Sequence, residues 1–85
     1  MSRTLASPLH QALREFLIRK RKEAGLTQAE VAKRLNRHQS YIANVEGGQR
    51  RVDVVELVYL ARALGFSPAE AVAAVAGSEG GQDIT

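Results

Sequence analysis

The sequence predicts a compact all-α domain of five helices. Three features point to it. Apolar residues recur at helical spacing, as in Leu9, Leu13, Phe16 and Leu17 and again in Leu57, Leu60, Ala61 and Leu64. Helix-start signatures recur at Ser7-Pro8, Thr27 with Glu30, Asp53 with Glu56 and Ser67-Pro68. Gly25, Asn36, Gly47-Gly48 and Gly65 stand where those helices must stop. Nothing alternates with the period of a strand. Val52 to Val55 is the one candidate, and Asp53 with the helical period after it argues against that.

Residues 1–6 read as a flexible tail. Ser7 is a good N-cap, and Pro8 sits at the first helical position, where no amide donor is needed. The first helix then runs to about Ala24. Gly25 supplies a left-handed stop, and Leu26 follows as its apolar contact. Thr27-Gln28-Ala29-Glu30 is a capping box that opens the second helix, which ends near Leu35. Asn36 occupies the turn, because after glycine it best tolerates positive φ. The third helix covers about Gln39 to Glu46. Asp53 and Glu56 open the fourth, whose apolar surface is Val54, Leu57, Val58, Leu60, Ala61 and Leu64. Gly65 ends it. Ser67-Pro68-Ala69-Glu70 starts the fifth, combining cap, proline and an acidic third residue, and that helix runs to about Ala76. Residues 77–85 lack periodicity and are rich in glycine, so they read as a flexible C-terminal tail. The domain is therefore residues 7–76.

Composition narrows the function. Eighty-five residues allow one domain and a small core. There is no cysteine, so neither a disulfide framework nor a thiolate metal site is available. With His10 and His38 the only histidines, no metal is expected, and no cofactor motif is present. The longest apolar run is too short to span a bilayer, and Arg14 and Glu15 interrupt any secretory signal. A cytoplasmic location follows as the expectation. No nucleophile–base set and no phosphate loop is found, so an enzyme is not expected.

Net charge is +3 but uneven. Residues 1–51 carry eleven Lys/Arg and four Asp/Glu, which gives +7; residues 52–85 carry one Arg and five acids, which gives −4. A basic N-terminal part suits a polyanion, although solvated helix faces would give the same count.

The third helix divides in two on a helical wheel. Gln39, Ala43, Ser40 and Asn44 fall within about 140°, with Tyr41, Ile42 and Val45 opposite. The outer set carries amide, hydroxyl and methyl groups. The amides of Gln and Asn can pair bidentately with adenine, serine with several bases, and an alanine methyl with that of thymine. The small residues Ala29 and Ala32 allow the second helix to pack closely. Read alone, a polar face on a short helix is usually just a solvated surface. The turn and the basic flanks tip the reading toward DNA.

These residues carry a resemblance. The run Leu26-Thr27-Gln28-Ala29-Glu30-Val31-Ala32, then Ser40-Tyr41-Ile42-Ala43-Asn44-Val45-Glu46-Gly47-Gly48, resembles the lambda-repressor/Cro-type, or Xre-like, helix-turn-helix family. The likeness covers roughly residues 9–76, with the helix-turn-helix at about 27–46. It implies a lambda-repressor-like DNA-binding domain that acts as a sequence-specific transcriptional regulator, a repressor. Gln39, Ser40 and Asn44 match base-reading positions, with Ala43 between them. Gln28 matches a residue whose amide bonds a phosphate. Arg21 matches an arginine paired to the glutamate equivalent to Glu46, though within Arg19-Lys20-Arg21-Lys22 it could be one more exposed charge. The loop holding Arg50 and Arg51 lies along the DNA backbone in the family. Those two, Arg37 and the Tyr41 hydroxyl are the phosphate candidates; a solubilising loop is the alternative for Arg50-Arg51. Lys33 and Arg34 read as solvated.

Two departures matter. Asn36 stands where the family has glycine, and His38 stands where it has a serine or threonine cap. His38 is a poorer cap, and is either a phosphate donor or a bystander. Family members bind as homodimers on operators with two half-sites about a helical turn apart. Phe66, Val72 and Val75 could supply the dimer surface or simply close the core. An antitoxin that binds a toxin protein and controls its own operon is an alternative function, as is a protein-interaction module on the same fold. A bacterial or phage-encoded, nucleoid-associated protein is the implied setting.

Overall fold

The computed structural model describes residues 7–78. Five helices follow in order: α1 Pro8–Glu23, α2 Gln28–Arg34, α3 Gln39–Gly47, α4 Val54–Leu64 and α5 Pro68–Ala76. No strand occurs among the described residues. The tail expected at 1–6, and residues 79–85 of the tail expected at 77–85, lie outside them.

The local signals act as their chemistry requires. Ser7 accepts from the His10 amide at the start of α1. Thr27 and Glu30 form a reciprocal capping box on α2, as Asp53 and Glu56 do on α4. Asn36 adopts φ 57° and turns the chain between α2 and α3. At α5 the cap differs from the expected pattern. Ser67 accepts from the Ala69 amide, while the Glu70 carboxylate pairs with Lys20 of α1 at 2.8 Å. The glutamate beside the cap also serves a tertiary ion pair, which ties α5 to α1.

The core is built from one face of each helix. Phe16 and Leu17 of α1, Val31 and Ala32 of α2, Tyr41, Ile42 and Val45 of α3, Leu60 and Ala61 of α4, and Phe66 and Ala71 around α5 are buried. Leu13, Leu26, Leu35, Leu57 and Leu64 pack on its margin. Three expectations are corrected. Val54 is 77 % exposed, because it is the first residue of α4 and the packed stripe begins one turn later at Leu57. Ala29 is exposed, and only Ala32 supplies the close α2 contact. Arg34 is not simply solvated: its guanidinium donates to the Ala63 carbonyl at 2.9 Å, near the C-terminus of α4, where carbonyls lack helical partners.

No single described helix is long and apolar enough to cross a membrane.

Candidate nucleic-acid interface

The amphipathic α3 presents its two faces as the wheel requires. Tyr41, Ile42 and Val45 are buried, while Gln39, Ser40 and Asn44 are exposed and Ala43 is half-buried. Burial of three large side chains holds the short helix, which is too brief to be stable alone. Its start carries no side-chain cap, since His38 makes no capping hydrogen bond. His38 and Arg37 are both exposed beside that start. The helix ends on Gly48 at φ 86°. A side chain at Gly48 would also come within 3.2 Å of the Arg14 guanidinium carbon, which that side chain can relieve by a small shift, so it is the positive φ that calls for glycine.

One buried acid organises the site. Glu46 is 9 % exposed and lies on the inner side of α3. Its two carboxylate oxygens receive the Arg21 guanidinium, at 2.7 Å from Nε and 3.0 Å from Nη2. Arg21 Nη1 reaches the Leu26 carbonyl at 2.9 Å, so all three nitrogens of the fork are used. Hydrogen bonding to Glu46 holds the Arg21 pKa above its ordinary value, against the effect of burial. Gln28 Nε2 donates to the same carboxylate at 2.9 Å, and Gln28 Oε1 accepts from Gln39 Nε2 at 3.4 Å. A continuous polar chain thus runs from α1, through the end of α3 and the start of α2, to the first residue of α3. It braces the end of α3 firmly, while its last link, to the exposed Gln39 amide, is long.

Arg14 also belongs to the site. Its Nε donates to the Glu46 carbonyl at 3.0 Å, satisfying one of the last carbonyls of α3. It lies two helical turns before Arg21 on the same face of α1, although that spacing does not say which carbonyl it meets. Beside it the half-buried His10 ring has an Nε2 with no hydrogen-bond partner among the described residues. Burial lowers the His10 pKa, and the charges of Arg51 and Arg14 lower it further. A depressed pKa keeps this imidazole neutral in the fold, whereas the unfolded chain protonates below about pH 6.5. The resulting stability is complete above that pH and is lost as pH falls through the folded-state value. Urea unfolding at a series of pH values between about 7.5 and 5 should show a falling stability that His10→Gln flattens. An unchanged slope in that variant would assign the pH dependence elsewhere.

Tyr41 and Arg50 are not free groups. The Tyr41 ring is 8 % exposed, with the guanidinium carbon of Arg37 at 3.8 Å and that of Arg50 at 5.0 Å from its centroid. Arg50 Nη2 in turn is hydrogen-bonded to Glu56 Oε2. Burial, and then the Glu56 charge, raise the Tyr41 pKa. Burial alone would raise that of Glu56, but the Asp53 amide and Arg50 outweigh it and hold the carboxyl below the ordinary range. Arg51 is exposed and makes no ion pair among the described residues. Among those residues no group of three or more His, Cys, Asp or Glu side chains could hold a metal.

Comparison with known proteins agrees with this geometry. The family described as helix-turn-helix domain matches residues 12–74. The chain is 46 % identical over 54 residues to the uncharacterized HTH-type transcriptional regulator y4dJ of Sinorhizobium fredii, covering 64 % of this chain and 70 % of that one. An XRE-family like protein from Pseudomonas syringae pv. tomato has a similar structure, with TM-score 0.78 and 35 % identity over 87 % of this chain and 90 % of that one. The restriction-modification controller protein C.AhdI from Aeromonas hydrophila superposes with TM-score 0.68 at 34 % identity, covering 73 % and 94 % of the two chains. The clp gene regulator ClgR from C. glutamicum gives 0.74 at 31 % identity, with 84 % and 92 % covered. The helix pair braced on Glu46, the matched profile and these neighbours together identify the chain as a member of the XRE-like helix-turn-helix family of transcriptional regulators.

Proposed function

We propose that the protein is a sequence-specific DNA-binding repressor that lays α3 in the major groove. The observation that carries this reading is the outer face of α3, where Gln39, Ser40 and Asn44 are exposed together while the inner face is pinned by Glu46. Gln39 and Asn44 pair with adenine edges, Ser40 with an adjacent base, and Ala43 meets a thymine methyl. Gln28, Arg37, His38 and Arg51 contact phosphates and set the register. Arg37 and Arg51 neutralise about two phosphates per subunit, so binding weakens as salt rises.

One such domain covers one half-site, so the working form is a homodimer on an operator with two half-sites. The apolar groove lined by Leu9, Leu13, Leu57, Val72 and Val75, about 390 Å³ in volume, with Val72 58 % exposed, is the surface for the second subunit. The setting is the nucleoid in the cytoplasm of a bacterial or phage-infected cell.

Selection from random duplexes tests the reading. A preferred sequence with two related half-sites should emerge at moderate salt. Retention of all duplexes alike would remove the proposal.

A further inference from the structure

Arg50 follows α3 directly and has the charge and exposure of a phosphate ligand. Its surroundings argue for another use. The amides of Gln49 and Arg50 both donate to the Asn44 carbonyl, at 2.9 and 3.2 Å, which wraps the loop back over the end of α3. The Arg50 guanidinium is then held by Glu56. That carboxylate is itself fixed: its Oε1 accepts from the Asp53 amide at 3.0 Å as half of the α4 capping box, its Oε2 takes Arg50, and the side chain is only 14 % exposed. So Arg50 is anchored to the first turn of α4 with its plane near the Tyr41 ring, which Arg37 also covers. Glu56 uses only the Nη2 end of the guanidinium, so a phosphate reaching Nε or Nη1 would meet a group already aimed and partly neutralised by a carboxylate.

We propose that Arg50 is a positioning residue: held by Glu56, it acts through Tyr41 to set the rotation of α3, and the phosphate charge after α3 is supplied by Arg51. Tyr41 is the buried neighbour of Ser40, so a shift of its ring turns the outer face that carries Ser40 and Asn44. This rests on α3 being the DNA-reading helix, as proposed above. The two possible roles differ in what they do to specificity. A phosphate contact carries no sequence information, so its loss weakens all duplexes alike. A positioning contact is felt mainly at base edges.

The test compares wild type with Arg50→Gln, Arg50→Lys, Glu56→Gln and Arg51→Gln, on the selected duplex and on an unrelated one, across a salt series. Glutamine at position 56 keeps the capping box, so the fold is retained. Arg50→Gln and Glu56→Gln should each lower the ratio of specific to non-specific affinity by about tenfold, with the salt slope at the selected site unchanged. Arg50→Lys should not rescue, since an ammonium keeps the charge but lacks the planar guanidinium that bonds Glu56 at one end while lying beside the Tyr41 ring. Arg51→Gln should leave the ratio intact and reduce the slope by about 0.9 per subunit, or about 1.8 for the dimer on its two half-sites. The proposal is overturned if Arg50→Gln reduces the slope and leaves the ratio intact, if Glu56→Gln tightens both duplexes with the ratio intact, or if lysine restores binding. The Tyr41 ring resonances of the free protein separate this from the reading of α3. They should move alike in Arg50→Gln and Glu56→Gln whether or not the wild type prefers any sequence, and no movement in either contradicts the positioning role alone.

Discussion

Glu46→Ala is expected to destabilise the domain by about 3–5 kcal/mol. The size follows from what is left behind. An exposed ion pair contributes about 1 kcal/mol or less, because water screens it and both side chains pay entropy to meet. This pair is different: Glu46 is 9 % exposed and the Arg21 side chain 14 %. Removing the carboxylate strands a guanidinium that has already given up its water, along with the Gln28 amide that shares the same oxygen. Against a total stability of about 0.05–0.15 kcal/mol per residue, such a loss is a large fraction for a domain of this size. Urea unfolding followed by circular dichroism measures it. A loss below about 1 kcal/mol would mean that the pair behaves as a surface pair. Replacing both partners with apolar residues of similar volume should cost far less than Glu46→Ala, since no charge is then stranded.

Phe66→Ala is expected to cost about as much, roughly 3–5 kcal/mol, and independently of protein concentration. Phe66 was open to two readings in the sequence, as part of a dimer surface or as core. It is core: 9 % exposed, with its ring edge-on to Phe16 at 5.0 Å between centroids and 88° between planes. That contact joins α1 to the α4–α5 corner. Its loss opens a cavity beside Phe16 in the core, whatever a second subunit does. Val72→Asp provides the contrast, because a residue 58 % exposed should change self-association and leave monomer stability nearly unaltered. If the midpoint for Phe66→Ala shifted only in dilute protein, the residue would belong to an interface instead.

The contrast between Phe66 and Leu26 shows how far the chain is legible. Leu26 after Gly25 was readable as the apolar contact that accompanies a left-handed stop. Phe66 after Gly65 obeys the same rule, with its amide bonded to the Ala61 carbonyl at 3.0 Å, and the rule would have placed it inward. Caps, stops and the two faces of α3 were legible because each depends on residues within a turn or two. Asn36 was legible for the same reason, as a residue that tolerates φ 57°. Arg14, Arg34 and the Glu56–Arg50 pair were not singled out. Arg14 meets a carbonyl 32 positions on and Arg34 one 29 positions on, and no local pattern announces such meetings. Glu56 was visible as a cap, but its second oxygen is used by a loop whose path only the packing of α3 against its neighbours decides. Val54 shows the opposite error, in which a correct period overran the end of the packed surface.

The central claim is that the outer face of α3 reads base edges. The most direct measurement is the affinity of wild type and Gln39→Ala for the selected duplex and for each of its single-base variants. The expected result is a loss of about 1–3 kcal/mol per half-site for Gln39→Ala on the selected duplex, with preference relaxed at one base pair per half-site and non-specific binding unchanged. An unaltered preference at every position would contradict the account.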